Sequence, residues 1–311
     1  MAYLTSLSER SRALAALTVA GGTWGLTLPL SAIVLRHASP AWLVCTRFGL
    51  AALLLGLISR RGDLRAALRP RIVGWGILGY GCVVLLQGAA IERTSVGHVA
   101  MIGGVVPVLV VLIAIARGGE YPSRTATLGL LGAVGGVAFI TGGGGHASLA
   151  GDALVLLASL CSSIYIAAQP PLLLKRNPVA VTAVQMGAAS IASVPLVLLG
   201  GPTPHVHGST LLALLGLVTV GSLLPFTLYA WSQTRVPSEV AGVFLNLEAL
   251  VGALVGIAAF HDPATARQLS GMALMLSGIL LVAAKASRPN GWAIQDSNLG
   301  PLPYQGTRHT G

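Results

Sequence analysis

Charge is what this chain lacks most. Only 9% of its 311 residues are Asp, Glu, Lys or Arg, against roughly 25% in an ordinary soluble domain. A water-facing shell cannot be built from that supply. Hydrophobic residues make up 54% of the chain and fall into runs of about seventeen or more, separated by short polar breaks, so most of the surface faces lipid. Acidic residues are scarcer still, with nine against nineteen Lys and Arg, a net charge of +10. The basic residues nevertheless form no dense stripe with interleaved aromatics, which excludes a nucleic-acid partner and leaves the charge as a statement about topology. Cysteine is nearly absent. Cys45, Cys82 and Cys161 lie inside apolar runs without ligand-like spacing and read as small core residues. Long polar connections are missing too, so no soluble catalytic domain is inserted.

What is present is a succession of apolar runs. Arg10 and Arg12 ahead of the first imitate a secretory signal, but the run from Ala13 to Leu35 is too long for one and nine more follow. The spans are expected at Ala13 to Leu35, Pro40 to Ile58, Ile72 to Ile91, Val96 to Ala116 and Arg124 to Thr141. A second set follows at Gly151 to Gln169, Val179 to Leu199, Thr210 to Ser232, Glu239 to Phe260 and Gln268 to Ala284. Counted on alternate sides of this layout, fifteen Lys and Arg fall on one side and three (Arg36, Arg93, Arg267) on the other, with Arg47 inside a span. That bias puts both termini in the cytoplasm.

The chain also repeats itself. A shift of 141 residues carries Val99-Ala100 onto Val240-Ala241 and Pro122 onto Pro263; a shift of 138 carries Pro40 onto Pro178 and Arg47 onto Gln185. Each half holds five spans, an odd number, so the second copy enters from the opposite face. The expected fold is therefore an all-α membrane protein of ten transmembrane helices in two inverted five-helix repeats. Residues 1–11 form a cytoplasmic N-terminus, 12–142 the first repeat and 150–285 the second. Residues 286–311 are expected to be a disordered cytoplasmic tail. Within it, Ile294 to Leu302 resembles the peptide read in frame from a transfer-RNA gene, which would make the tail a reading-frame artefact.

Arg47 and Glu248 are the ionisable residues deep within these spans. A charge at the centre of a spanning helix costs about 2.5 to 3.5 kcal/mol on insertion scales, so it faces a cavity or a partner and marks a site. From the span ends, Arg47 lies roughly 10 Å below the outer surface and Glu248 roughly 14 Å above the inner one at 1.5 Å per residue. Both are near mid-depth and could meet across a central cavity. Arg47 would then offer a fixed positive charge, and Glu248 would bind a cationic group or carry a coupling proton. The bland alternative is a buried ion pair that only orients two helices.

Asn246 precedes Glu248 by two positions, about 200° around a helix, so one of them is expected in the cavity and the other against a neighbouring helix. Trp24, Thr27, Gln185, Tyr229 and Gln233 are further cavity-wall candidates, although for each an interhelical hydrogen bond or an interfacial anchor is the better reading. Pro29, Pro107, Pro195 and Pro225 interrupt spans, and Gly103-Gly104 before Pro107 marks the fourth as a kinked lining helix. Gly252 and Gly256 form a small-residue pair for close packing. His205-Val206-His207 lacks acidic or cysteine companions for a metal, and Gly142 to Gly145 lacks the Lys-Ser or Lys-Thr of a phosphate loop.

Taken in order, Thr23-Trp24-Gly25, Ser39-Pro40 with Arg47-Phe48, Arg93-Thr94-Ser95, Pro107, Gly119-Glu120 and Glu248 resemble the EamA type of the drug/metabolite transporter superfamily. The similarity runs over residues 12 to 285. It implies ten spans in two inverted repeats around a central cavity, and cargo drawn from amino acids, related metabolites or toxic organic compounds. The sequence departs from the family pattern at Ala249, where a proline is usual, and at His261-Asp262, where a second Gly-Glu is usual.

The expected function is that of a secondary-active transporter exporting a small metabolite such as an amino acid by alternating access, with no cofactor and no enzymatic activity. It would sit in a bacterial inner membrane, its partners being the small-molecule substrate and membrane lipid; a homodimer is compatible with this reading. An intramembrane enzyme acting on lipid or isoprenoid substrates is the alternative. It would need clustered carboxylates, histidines or a nucleophile at depth, and one Arg with one Glu is a poor set. A sensor or scaffold would carry a signalling domain or long loops.

Overall fold

The structure is a computed structural model and describes residues 2–94, 96–118, 122–141, 148–200, 204, 208–260 and 265–286. The first half contains α1 (Ala2–Trp24), α2 (Thr27–Leu35), α3 (Pro40–Ile58), α4 (Arg61–Ala67) and α5 (Pro70–Gly76). It continues through a π-helical turn (Ile77–Cys82) into α6 (Val83–Ile91), α7 (Val96–Gly103), α8 (Val106–Ala116) and α9 (Arg124–Thr141). The second half contains α10 (Leu149–Leu173), α11 (Pro178–Leu199) and α12 (Ser209–Val218). A second π-helical turn (Thr219–Leu223) leads to α13 (Leu224–Ser232), α14 (Ser238–Phe244), α15 (Leu247–Phe260) and α16 (Ala266–Ala286). The described residues contain no strand.

Eight helical stretches are long and apolar enough to cross a membrane by length and composition; Val106–Ala116 and Arg124–Ile140 are apolar but shorter. The expected fourth span is short because it is interrupted between α7 and α8. Lipid-facing character is visible in the outward leucines: Leu57, Leu198 and Leu212 are 74%, 78% and 71% exposed. Such exposure would be a liability in water.

Equivalent helices start alike. Ser39 caps α3, its hydroxyl accepting from the Trp42 amide at 3.2 Å ahead of Pro40. Asn177 caps α11 the same way, accepting from the Val179 amide at 3.0 Å ahead of Pro178. In each case a polar cap takes an orphan amide and proline occupies the first turn, where its missing N–H costs nothing.

The halves pack on each other more than on themselves. The α3 helix lies along α11 and α9 along α16; α1 packs on α13 while α10 packs on α6. These contacts are reciprocal, as a two-fold relation between the halves requires. At the α9–α16 seam the backbones touch: a Cβ on Gly278 would sit 2.4 Å from the Gly129 carbonyl oxygen and 2.5 Å from the Ala133 nitrogen. The close approach that small residues permit is therefore centred here. Gly252, singled out in the sequence, has the Gly25 oxygen 3.5 Å from its Cβ position.

The prolines behave differently from one another. Pro107 and Pro225 stand in the first turns of α8 and α13 and start helices there, whereas Pro195 lies inside the continuous α11. The interruption expected at Pro107 falls just before it, at Gly104-Val105. The features read at Gly119-Glu120, Gly142 to Gly145, His205-Val206-His207 and His261-Asp262 lie outside the described residues, as does the tail from residue 287 onward.

Candidate functional site: a central cavity

A cavity of about 130 Å³ opens between the two halves, and its wall includes Trp24, Thr27, Arg47, Tyr229, Asn246 and Glu248. Its volume is comparable to an engineered cavity of about 150 Å³ that takes up benzene. Six of the nine sequence candidates thus converge. Pro107, Gln185 and Gln233 do not line it.

Helix irregularities shape the wall. The α1–α2 interruption is closed by short bonds from the Gly25 and Leu26 amides to the Gly22 and Thr23 carbonyls, both 3.2 Å. At the α14–α15 interruption the Leu245 and Asn246 amides reach back to Gly242 at 3.1 Å and Val243 at 3.2 Å, and Glu248 to Leu245 at 2.9 Å. These three-residue bonds tighten the chain and change the direction of the following side chains. That corrects the expectation for Asn246 and Glu248: they are not on opposed faces, because no continuous helix joins them, and both reach the cavity.

Arg47 projects from α3 and is 4% exposed. Its Nη2 donates to the Gly221 carbonyl at 2.7 Å and its Nε donates to the Ser222 hydroxyl. Both acceptors belong to the second π-helical turn. In that turn the Ser222 hydroxyl donates to the Leu217 carbonyl, five residues back, at 2.7 Å. Four residues on from Gly221 stands Pro225, which has no N–H to offer, so the Gly221 carbonyl lacks its helical partner and is available to a cation. A side chain at Gly221 would crowd this contact, since its Cβ would lie 3.0 Å from Thr27 Cγ2 and 3.4 Å from Arg47 Nη2.

Arg47 and Glu248 are electrostatic neighbours, and the Thr27 hydroxyl lies beside the Glu248 carboxylate. Among the described residues, however, no ion pair within 4.0 Å joins them. Both residues belong to the cavity wall without forming a close ion pair.

Gln185 has a structural post. It exchanges amide hydrogen bonds with Gln169, at 2.9 and 3.1 Å, and its carbonyl oxygen accepts from the Tyr165 hydroxyl at 3.1 Å. Gln233 donates to the Ile166 carbonyl at 3.2 Å behind the wall. Sequence reasoning also missed wall residues: Gln87, Ser159, Ser162 and Tyr165. Gln87 is an uncharged amide in the middle of an apolar run, a signal that was there to be read. The aromatic floor joins Trp24 to Tyr229 at 5.2 Å and to Phe226 at 4.9 Å, and Phe226 in turn to Tyr80 at 4.6 Å, all between ring centroids.

The EamA-like transporter family model matches twice, over residues 11–142 and 149–284. The chain belongs to the EamA-like transporter family. An uncharacterized transporter of Archaeoglobus fulgidus is 26% identical to this EamA-like chain over 266 residues, covering 84% of it and 95% of the relative. A probable terminal-alkyne amino-acid exporter of Streptantibioticus cattleyicolor is 27% identical over 282 residues, covering 88% and 93%. A crystal structure superposes with a TM-score of 0.77 at 19% identity, covering 89% of this chain and 98% of that one, which speaks for the fold. Family and relatives are transporters rather than enzymes, so the EamA-like protein is a multi-pass membrane transporter and the intramembrane-enzyme reading is set aside.

Proposed function

We propose that this protein is a secondary-active exporter of an amino acid or closely related metabolite, working by alternating access across a bacterial inner membrane. The observation that carries this reading is the cavity in which Arg47 and Glu248 both reach the wall without pairing within 4.0 Å. A zwitterion presents a carboxylate to the guanidinium and an ammonium to the carboxylate, so the two wall charges fit both ends of one small cargo. Glu248 is also the wall group suited to carrying a coupling proton. The amino-acid exporter among the relatives supports the same cargo class.

In the ten-span topology, α7 and α8 together make the fourth span and α9 the fifth, so the second repeat is inverted and both termini lie on one side, which the Lys and Arg bias makes the cytoplasmic one. Gln87, Val99 and Ala100 of the wall then belong to the outer half of the bundle. The cytoplasmic half is tied shut. Arg235 Nε donates to Glu9 at 2.8 Å and Asn177 donates to Asp63 at 3.0 Å. This arrangement supports an outward-facing state, from which export ends by releasing cargo.

The test is counterflow of labelled amino acids into proteoliposomes, with Glu248→Gln and Arg47→Gln as controls that should insert but not transport. Absence of flux for every amino acid tried by wild-type protein refutes the cargo class. In a cysteine-free background, a cysteine at Arg36 should react with an impermeant thiol reagent from the periplasm and one at Asp63 should not. The reverse pattern refutes the orientation.

A further inference from the structure

Two polar groups in the cavity wall have no use in the reading above. Tyr229 is 5% exposed and Asn246 3% exposed, and both belong to the wall. The Tyr229 hydroxyl and the Asn246 Nδ2 make no hydrogen bond among the described residues. A buried donor left unsatisfied costs about 1 to 3 kcal/mol, so such groups persist where something else completes them. Thr182, Thr227 and Gln233 also carry an unpartnered side-chain oxygen, but none of the three is part of the wall.

Both groups are held in place. The Tyr229 ring stands edge-on to Trp24 at 5.2 Å and 63°, which fixes where its hydroxyl points. Asn246 sits in the interruption between α14 and α15, its backbone pinned to Val243 at 3.2 Å, and there is no regular helical turn to absorb its side chain. A rigid donor without a partner is a selective element. A site built to hydrogen-bond a cargo group rejects the analogue that lacks it far more strongly than an apolar pocket rejects an extra hydroxyl.

We propose that Tyr229 and Asn246 form a neutral hydrogen-bonding subsite that selects cargo bearing an uncharged hydroxyl or carboxamide group over its apolar isostere. The proposal rests on the carrier reading, in which Arg47 and Glu248 take the charged ends of the cargo. The remaining group of the cargo then meets two neutral partners: a hydroxyl able to donate and accept, and an amide nitrogen that donates. A hydroxyl or carboxamide satisfies them; a methyl group of the same size leaves both buried and unpaired.

Matched pairs test this in proteoliposomes: L-threonine against L-valine, L-serine against L-2-aminobutyrate, and L-glutamine against L-methionine. The wild-type protein should favour the polar member of at least one pair by about tenfold in counterflow rate. Tyr229→Phe, which removes one oxygen and keeps the ring, and Asn246→Leu should each bring that ratio towards one. Thermal melting of the same samples identifies a variant that fails to fold; should Asn246→Leu do so, Tyr229→Phe and Asn246→Ser decide. Asn246→Ser restores a short hydrogen-bonding group and should keep part of the preference. Equal transport within every pair by wild-type protein overturns the subsite and leaves the carrier standing. Transport of no member of any pair overturns the subsite together with the cargo class. A preference undiminished in Tyr229→Phe and in the Asn246 variants overturns the assignment to these two residues.

Discussion

In the first half of the molecule the entering helix is interrupted at Gly25-Leu26, while its counterpart in the second half runs unbroken from Leu149 to Leu173. The 138-residue shift sets Gly25 on Ser163 and Leu26 on Ile164. Gly25 meets the α15 entrance so closely that a Cβ would lie 2.6 Å from Val251 Cβ and 2.9 Å from the Glu248 carbonyl oxygen. Ser163 meets the equivalent entrance of α8 with a side chain, its hydroxyl donating to the Ser159 carbonyl of its own helix at 2.7 Å and lying 3.3 Å from the Val106 carbonyl oxygen. One half joins its partner by backbone proximity and a break, the other by a side-chain contact and a straight helix. A repeat can therefore keep its packing plan while changing the chemistry at a contact. The same holds one helix on: Arg47 and Gln185 are equivalents, but the first turns to the cavity and the second ties α11 to α10.

The largest expected effect tests that division. Arg47→Gln should lower flux by about a hundredfold or more with the protein still inserting, whereas Gln185→Leu should lower the melting temperature and keep flux within a few-fold. Flux and melting of the purified variants measure both, and equal loss of flux in the two would erase the distinction. Because Arg47 is satisfied by Gly221 and Ser222, adding Glu248→Gln to Arg47→Gln should not restore activity. Recovery in the double variant would return the two residues to the status of a structural pair.

Next in size is the seam between α9 and α16. Gly278→Val should destabilise by about 1 to 3 kcal/mol or more through overpacking. Gly132→Ala, whose nearest neighbour would be 3.5 Å from the new Cβ, should be tolerated. Yields of monodisperse protein in detergent separate the two. The smallest contrast is between Gly25→Ala and Ser163→Ala. The first should displace the α15 entrance and reduce flux clearly, and the second should cost about 1 kcal/mol, a single hydrogen bond, with little change in flux.

The sequence carried the all-helical framework and its two halves through its apolar runs and internal shift, because those depend on composition and spacing alone. It also carried Arg47 and Glu248, since a charge within an apolar run has few places to go. What it could not carry was the direction of side chains beyond a helix interruption. That Asn246 and Glu248 both reach the cavity was not legible, because the 200° rule presumes a continuous helix and nothing in Phe244-Leu245-Asn246-Leu247 announces a break by glycine or proline. Gln185, a wall candidate as the equivalent of Arg47, makes instead the interhelical hydrogen bonds that were its better reading; its partners Gln169 and Tyr165 on another helix could not be named from the sequence. The π-helical turns were invisible for the same reason: their extra residue is accommodated by tertiary contacts such as Arg47 to Gly221.

The irregular turns themselves follow the internal repeat. The interruption after Gly103 and before Val106 falls, 141 residues on, after Phe244 and before Leu247, and the π turn ending at Cys82 falls on the one ending at Leu223. Residue identities at these places have diverged almost completely, so shared side chains did not keep the defects aligned. The defects thus recur with the packing plan that both halves share rather than with the residues that fill it. The break in the entering helix, found in one half only, goes instead with a local contact, the close approach of Gly25 to Val251 and the Glu248 carbonyl.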